Sequence, residues 1–186
     1  QTIVLEENIN IIAQFKYVGP DIKGKGTEES PFIIYTLAGL EKIGTEDYPL
    51  DADYKLGRNI DAGRTNNEGY NAGQGWDPIG EIYDIDNKNW AAFKGVFDGQ
   101  GYEIRNLQIN EKNYCSGLFG VVSTGVIKNL ELVTAKIKGQ VYVGGLVGYN
   151  AKGQIKRSSV GGNIKGNDYV RGFVGLNKQG RIKSSH

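Results

Sequence analysis

The only histidine is His186, the last residue, so no HExxH pair can hold zinc on a helix face and no serine triad has a histidine with chain on both sides. Carboxylates are the next candidates. Asp84 and Asp86 in DIDNKNW (84–90) have the spacing that opens a calcium loop, but the sixth position is Asn89 rather than glycine and the twelfth is Gly95 rather than Glu. A polar loop is expected there. Asp51, Asp53, Asp61 and Asp98 would have to converge on one cleft to cleave a glycosidic bond, as clustered carboxylates do in polysaccharide-degrading coils. Asp98 sits in FDGQG, where Asp-Gly is first of all a turn signal. The GQG at 99–101 lies between two strand-like runs and opens no helix, so it is no phosphate loop. The lone Cys115 excludes an internal disulfide and is expected to be a small buried hydrophobe rather than a nucleophile. These residues predict no catalytic group, no metal and no cofactor.

Two other sets recur at a fixed spacing and point to binding. Arg105, Lys128, Lys156 and Lys183 each follow an isoleucine, and Lys138 and Lys165 form a shorter row. Stacked at strand spacing, such charges repel by about 1 kcal/mol in water, so they must face solvent or an anion. The expectation is a solvated face that discourages aggregation, with an anionic-polysaccharide stripe as the functional alternative. Tyr114, Tyr142 and Tyr169 form an aromatic row, with Trp76 and Trp90 in loops nearby in sequence. Rows of this kind stabilise a coil by themselves, and they also offer sugars a stacking platform.

The element that must position these rows is an internal repeat. Residues 137–157 (IKGQVYVGGLVGYNAKGQIKR) align without gaps on 164–184 (IKGNDYVRGFVGLNKQGRIKS), more than half identical at a period of about 27 residues. One copy earlier, YCSGLFG (114–120) matches YVGGLVG (142–148), and GVIKNL (125–130) matches GQIKRS, with one residue inserted in a turn. GYEIRNL (101–107) is a fainter copy that aligns Ile104 with Ile127, Ile155 and Ile182, so the array begins near Phe97. Short β-branched stretches separated by Gly and Asn exclude helical repeats, and a coil of parallel strands remains. The isoleucine ladder, joined by Ile137 and Ile164, is its expected core. Val143 and Val170 are expected to align with Cys115. The repeated glycines 117/145/172 and 120/148/175 are expected to serve positive-φ turns or close strand approach.

Upstream, PFIIYTLAGLEKIG (31–44) predicts a short strand, an N-cap at Thr36 and a helix over 36–44 with Leu37, Leu40 and Ile43 on one face, placed to cap the first rung. Residues 47–63 read as loop then strand, and 64–92 as loop-rich. The apolar runs TIVL and INIIAQFKYV within 1–20 are strands of a first rung or an arm that pairs elsewhere. The predicted division is thus 1–23 as arm or first strands, 24–96 as cap and lead-in, and 97–186 as repeats. The chain has 28 glycines, no methionine and a net charge of +1, which gives no bias toward nucleic acid or an anionic membrane. No apolar run approaches membrane-spanning length. The opening on Gln1 is what removal of a leader would leave, so export is permitted.

The GLFG, GLVG and GFVG sequences with their trailing glycine and Ile-Lys resemble the GLUG repeat of bacterial surface adhesins, filamentous-haemagglutinin-like proteins and non-catalytic parts of immunoglobulin A-cleaving peptidases. GTEESPF (26–32), TLAGLEKIG, DYKLGRNIDAG, WDPIG and FKGVFDGQGYEIRNLQI are similar to that family's lead-in, and the resemblance covers about residues 24–186. It implies an all-β fold, a right-handed parallel β-helix on the outer bacterial surface, and brings no catalytic residue. The expected function is a secreted or cell-surface adhesin that binds polysaccharide or a host surface protein. A stalk or filament segment is one alternative, because Gly180–His186 stops partway through a repeat and would leave an edge open to homo-assembly. A polysaccharide-degrading β-helix is the other. No membrane span and no nucleic-acid partner are expected.

Overall fold

The computed structural model describes residues 19–84, 87, 89–110 and 114–186, so the apolar runs at 2–5 and 9–18 lie outside the described residues. Ile22–Lys23 is a short strand that pairs antiparallel with Phe32–Ile34. From there the chain winds as an all-β solenoid of about three turns with very little helix. Strands of one turn hydrogen-bond to the strands in register with them in the next, so the coil satisfies the backbone groups of its strands mainly between turns.

Four parallel faces result. The first stacks Phe32–Ile34, Tyr54–Leu56, Val96–Asp98, Val126–Lys128, Gln154–Lys156 and Arg181–Lys183. The second stacks Ile60–Asp61, Glu103–Arg105, Glu131–Lys138 and Ser159–Lys165, with Gln108–Asn110 also paired to Glu131–Lys138. The third holds Cys115–Ser116, Tyr142–Gly144 and Val170–Arg171, and the fourth holds Phe119–Val122, Val147–Asn150 and Val174–Asn177. Successive turns are offset by 28 residues at Phe119/Val147 and 27 at Val147/Val174, the period seen in the sequence.

The core is built of side-chain ladders. Phe97, Ile127 and Ile155 are stacked in register and fully buried, while Ile182 above them is 39% exposed. Ile104 is not in this ladder. It lies on the second face, between Ile60 and Leu132, and Phe97 takes the place beneath Ile127. The reason is that EIRNL and VIKNL end alike: Asn106 and Asn129 both turn the chain at positive φ, 60° and 52°. Identical turn chemistry on two faces makes short strings match across different faces. Ile109, Ile137 and Ile164 form their own ladder on the second face.

The expected helix over 36–44 shrinks to one turn, Leu37–Leu40, whose Gly39 N–H donates to the Thr36 hydroxyl at 3.0 Å. Leu37, Leu40 and Ile43 are all buried, as their spacing predicts. Gly39 is packed so tightly that a Cβ would stand 2.7 Å from the Asp21 carbonyl oxygen. Among the repeated glycines the requirement is also close approach, except at Gly172, where a Cβ would meet open space: a Cβ on Gly120 would lie 2.1 Å from the Gly80 carbonyl oxygen.

The fourth face differs from the others in being covered on both sides. Phe119–Val122 and Val147–Asn150 are buried at every position. Inward, Phe119 and Val147 join the main core, whereas outward Val121, Tyr149 and Cys115 form a second apolar cluster with Ile82 and Ala92, against which Trp90 packs. The antiparallel hairpin Glu81–Asp84/Asn89–Ala91 supplies Ile82 and Trp90 to this cluster. A continuous apolar run, rather than alternation, is the sequence consequence of such two-sided burial.

Candidate functional site

The carboxylates singled out as possible acid–base groups are tied into turns. Asp53 accepts from the Val96 N–H at 2.9 Å, and Asp61 accepts from the Gly63 N–H at 2.9 Å and Asn106 Nδ2 at 3.0 Å. Asp98 accepts from the Gln100 N–H at 2.9 Å and Asn129 Nδ2 at 2.8 Å, and pairs with Lys128 at 3.2 Å. Partial burial opposes ionisation of Asp98, but these donors outweigh it and hold its carboxyl below the ordinary value. Asp51 is exposed. Asp84 accepts from the Asn87 N–H and side-chain amide at 3.2 and 2.8 Å, while Asp86 lies outside the described residues. Among the described residues no three His, Cys, Asp or Glu side chains cluster as metal ligands. The Cys115 thiol is buried and desolvation pushes it up to about 12, which suits a packing role.

The basic row is shorter than its sequence suggests. Arg105 does not precede Lys128 in it: Arg105 lies on the second face beside Asp61 and Val133, and its guanidinium pairs with Glu103. On the first face the register runs Lys55, Asp98, Lys128, Lys156, Lys183. Asp98 therefore neutralises Lys128, and the like-charge stack is confined to Lys156 and Lys183. The cause is the same substitution of Phe97 for Ile104 that moves the core ladder.

The aromatic row is likewise redrawn. Cys115 stands in register with Tyr142, and Ser116 with Val143, so Cys115 does not align with Val143 and Tyr114 falls one residue short of the Tyr142 column. The inserted residue lies between the third and fourth faces, which is why a gapless match across it misplaces the third face. Tyr142 and Tyr169 do stack, at 5.3 Å between centroids. Tyr149 extends the path, 5.5 Å from Tyr142, and Trp90 lies 5.8 Å beyond it. Tyr114 joins through its backbone, accepting from the Tyr142 N–H at 2.7 Å, and leaves its ring 58% exposed.

Trp76 is not part of this surface. It is 1% exposed and donates from its indole nitrogen to the Leu118 carbonyl at 3.1 Å, a core role. One tyrosine that the repeat did not flag extends the row, Tyr149 within the fourth face. Burial pushes the Tyr149 hydroxyl up, with a further contribution from Cys115. The signal for Tyr149 was present in the apolar run VGYN. Its ring becomes a link in the row only because the hairpin folds Trp90 onto it.

Residues 139–165, which supply the end of the second face, the Tyr142 strand and the Tyr149 strand of one coil turn, match the model of the GLUG motif. This segment is a GLUG motif. The chain is similar over 142 residues to halomucin of Haloquadratum walsbyi, at 37% identity over 75% of this chain and 1% of that protein. It is also 36% identical, over 68% of this chain and 14% of the relative, to an Evansella cellulosilytica protein named as a Gly-rich membrane protein. The chain thus spans a small part of either relative. A crystal structure of a Bacteroides ovatus protein named as an immunoglobulin A1 protease shares the fold, with a TM-score of 0.60 at 19% identity, covering 88% of this chain and 48% of that one. Among the described residues no helix is long and apolar enough to cross a membrane.

Proposed function

We infer that this GLUG solenoid is a secreted or surface-displayed adhesive module that holds glycan on its tyrosine row and carries no catalysis of its own. The observation that carries the reading is the continuous ring path Trp90–Tyr149–Tyr142–Tyr169, with Tyr169 and Tyr114 presenting 55% and 58% of their surface. Inner rings fixed by packing hold the outer ones in place, so little side-chain entropy is lost when a sugar stacks on them. The absence of catalysis is supported by the carboxylates, of which Asp53, Asp61 and Asp98 are each engaged by backbone or amide donors. The surface setting is supported by the relatives, one of them named as a membrane protein. Right-handed winding follows the strong preference of parallel crossover connections, and the Leu37–Leu40 turn with its buried face serves as the cap of the first rung.

Binding to a glycan array, neutral and charged, tests the reading. Tyr114→Ala with Tyr169→Ala is expected to weaken binding by about threefold to tenfold, the loss of one to two stacking contacts. A folded chain that retains no glycan sinks it, and release of reducing ends from any polysaccharide sinks the non-catalytic assignment.

A further inference from the structure

The second face carries a different chemistry. Within Glu131–Lys138, Lys136 and Lys138 are two residues apart and exposed, while Ala135 and Ile137 point into the core. Parallel neighbours complete two rows across them. Gln108 and Asn163 flank Lys136, and Asn110 and Lys165 flank Lys138. Register spaces neighbours in a row by about 4.8 Å and the two rows by about 6.6 Å. A shallow groove of about 270 Å3 runs over these six side chains. Through Gln108 and Lys136 it joins a second depression of about 250 Å3 bordered by Asn66, Asn106 and Thr134.

Among the described residues, the polar residues lining both depressions carry amides, ammonium groups and one hydroxyl, and none carries a carboxylate. Among the described residues Lys136, Lys138 and Lys165 have no ion-pair partner, whereas Lys42, Arg105 and Lys128 elsewhere do. Backbone register holds Lys138 and Lys165 as neighbours, so an anion seated between them would relieve their repulsion more than solvent alone does. The amides on either side supply donors and acceptors in the fixed pattern that hydroxyl groups need.

We propose that this face binds an anionic polysaccharide, its carboxylate or sulfate groups seated on Lys136, Lys138 and Lys165 and its hydroxyls on the flanking amides. The proposal rests on the reading of the chain as a glycan-binding module, but it uses a face other than the tyrosine row. A nucleic acid fits less well, because the net charge is +1 and the groove has no aromatic side chain on which a base could stack.

The test titrates the full chain with polygalacturonate and with dextran sulfate, using dextran as the neutral reference, at about 50 and about 500 mM salt. Lys136→Gln with Lys138→Gln and Lys165→Gln is expected to weaken polyanion binding at least about tenfold, and raised salt to weaken the parent chain similarly. Lys156→Gln with Lys183→Gln, which removes charge from the first face, is expected to change it by less than about threefold. Which polymer binds tells carboxylate from sulfate recognition. These side chains are exposed, apart from the half-buried Lys156, and an unchanged unfolding midpoint shows that the variants fold. Equal losses in the two variants, or none in the triple one, overturn the site. A single-stranded DNA oligomer that binds as tightly and is lost in the same triple variant overturns the sugar assignment. Polyanion binding that survives the triple variant but is lost in Tyr169→Ala overturns the lysine site and leaves the glycan-binding reading standing, and failure of every glycan overturns both.

Discussion

Asp98 and Lys128 are in register on adjacent turns, and the pair converts a candidate acid into a strut. Because the folded carboxyl titrates below its ordinary value, its contribution to stability is full above that value and is lost as pH falls through the lower folded one. Urea unfolding between about pH 5 and pH 2 should show this loss, and Asp98→Asn should flatten that part of the profile; an unaltered slope would count against the assigned donors. Asn150 is the polar counterpart in the core. Fully buried, it accepts from the Gly153 N–H at 2.8 Å and donates to Asn177 Oδ1 at 2.9 Å, closing its own turn and tying it to the next. Asn150→Ala leaves a buried N–H without its acceptor and should cost about 1–3 kcal/mol by denaturant unfolding. The chemistry of both residues was readable from their types, Asp before Gly and Asn before a glycine turn. The partners in the next turn, Asn129 and Lys128 for Asp98 and Asn177 for Asn150, were not, because each lies about a full coil turn away.

The hairpin Glu81–Asp84/Asn89–Ala91 is the element that sequence periodicity did not forecast, since it belongs to no repeat and reads as polar loop. Folded back, it seals the outer side of the fourth face and buries Cys115 beneath Ile82, Val121 and Tyr149. Trp90→Ala should therefore do two things: lower stability by about 2 kcal/mol, less than for a fully buried Trp, and speed alkylation of Cys115 under native conditions. Alkylation at the parent rate in a destabilised variant would show that the hairpin does not shield the thiol. The single helical turn Leu37–Leu40 shows the opposite balance. Thr36 and the buried Leu37, Leu40 and Ile43 were all legible, yet after Leu40 the chain tightens into i→i+3 turns, the Lys42 and Ile43 N–H groups donating to the Gly39 and Leu40 carbonyls, and Gly44 at φ 103° closes the segment where its end was expected.

Over the whole molecule, each turn of the coil contacts mainly the turns before and after it, so stability is distributed along one dimension. Amides of Glu131–Lys138 and Val147–Asn150, paired on both edges, should exchange most slowly in native-state hydrogen exchange. Those of Arg181–Lys183, paired on one edge beside the 39%-exposed Ile182, should exchange first; uniform protection would contradict the one-dimensional picture. The repeat, its period of 27 to 28 residues and the apolar ladders of the later turns are properties of the sequence alone, because identical positions in a parallel stack must carry compatible side chains. Register is not such a property: whether Phe97 or Ile104 lies under Ile127 depends on which face each of two similar Asn turns ends, and whether Cys115 or Tyr114 lies under Tyr142 depends on which turn absorbs the extra residue. A slip of one residue sends a side chain to the other side of the sheet. Tertiary packing gave Lys128 its acid, took Trp76 into the core, and gathered Lys136, Lys138 and Lys165 along an amide-lined groove that has no carboxylate among its described lining residues.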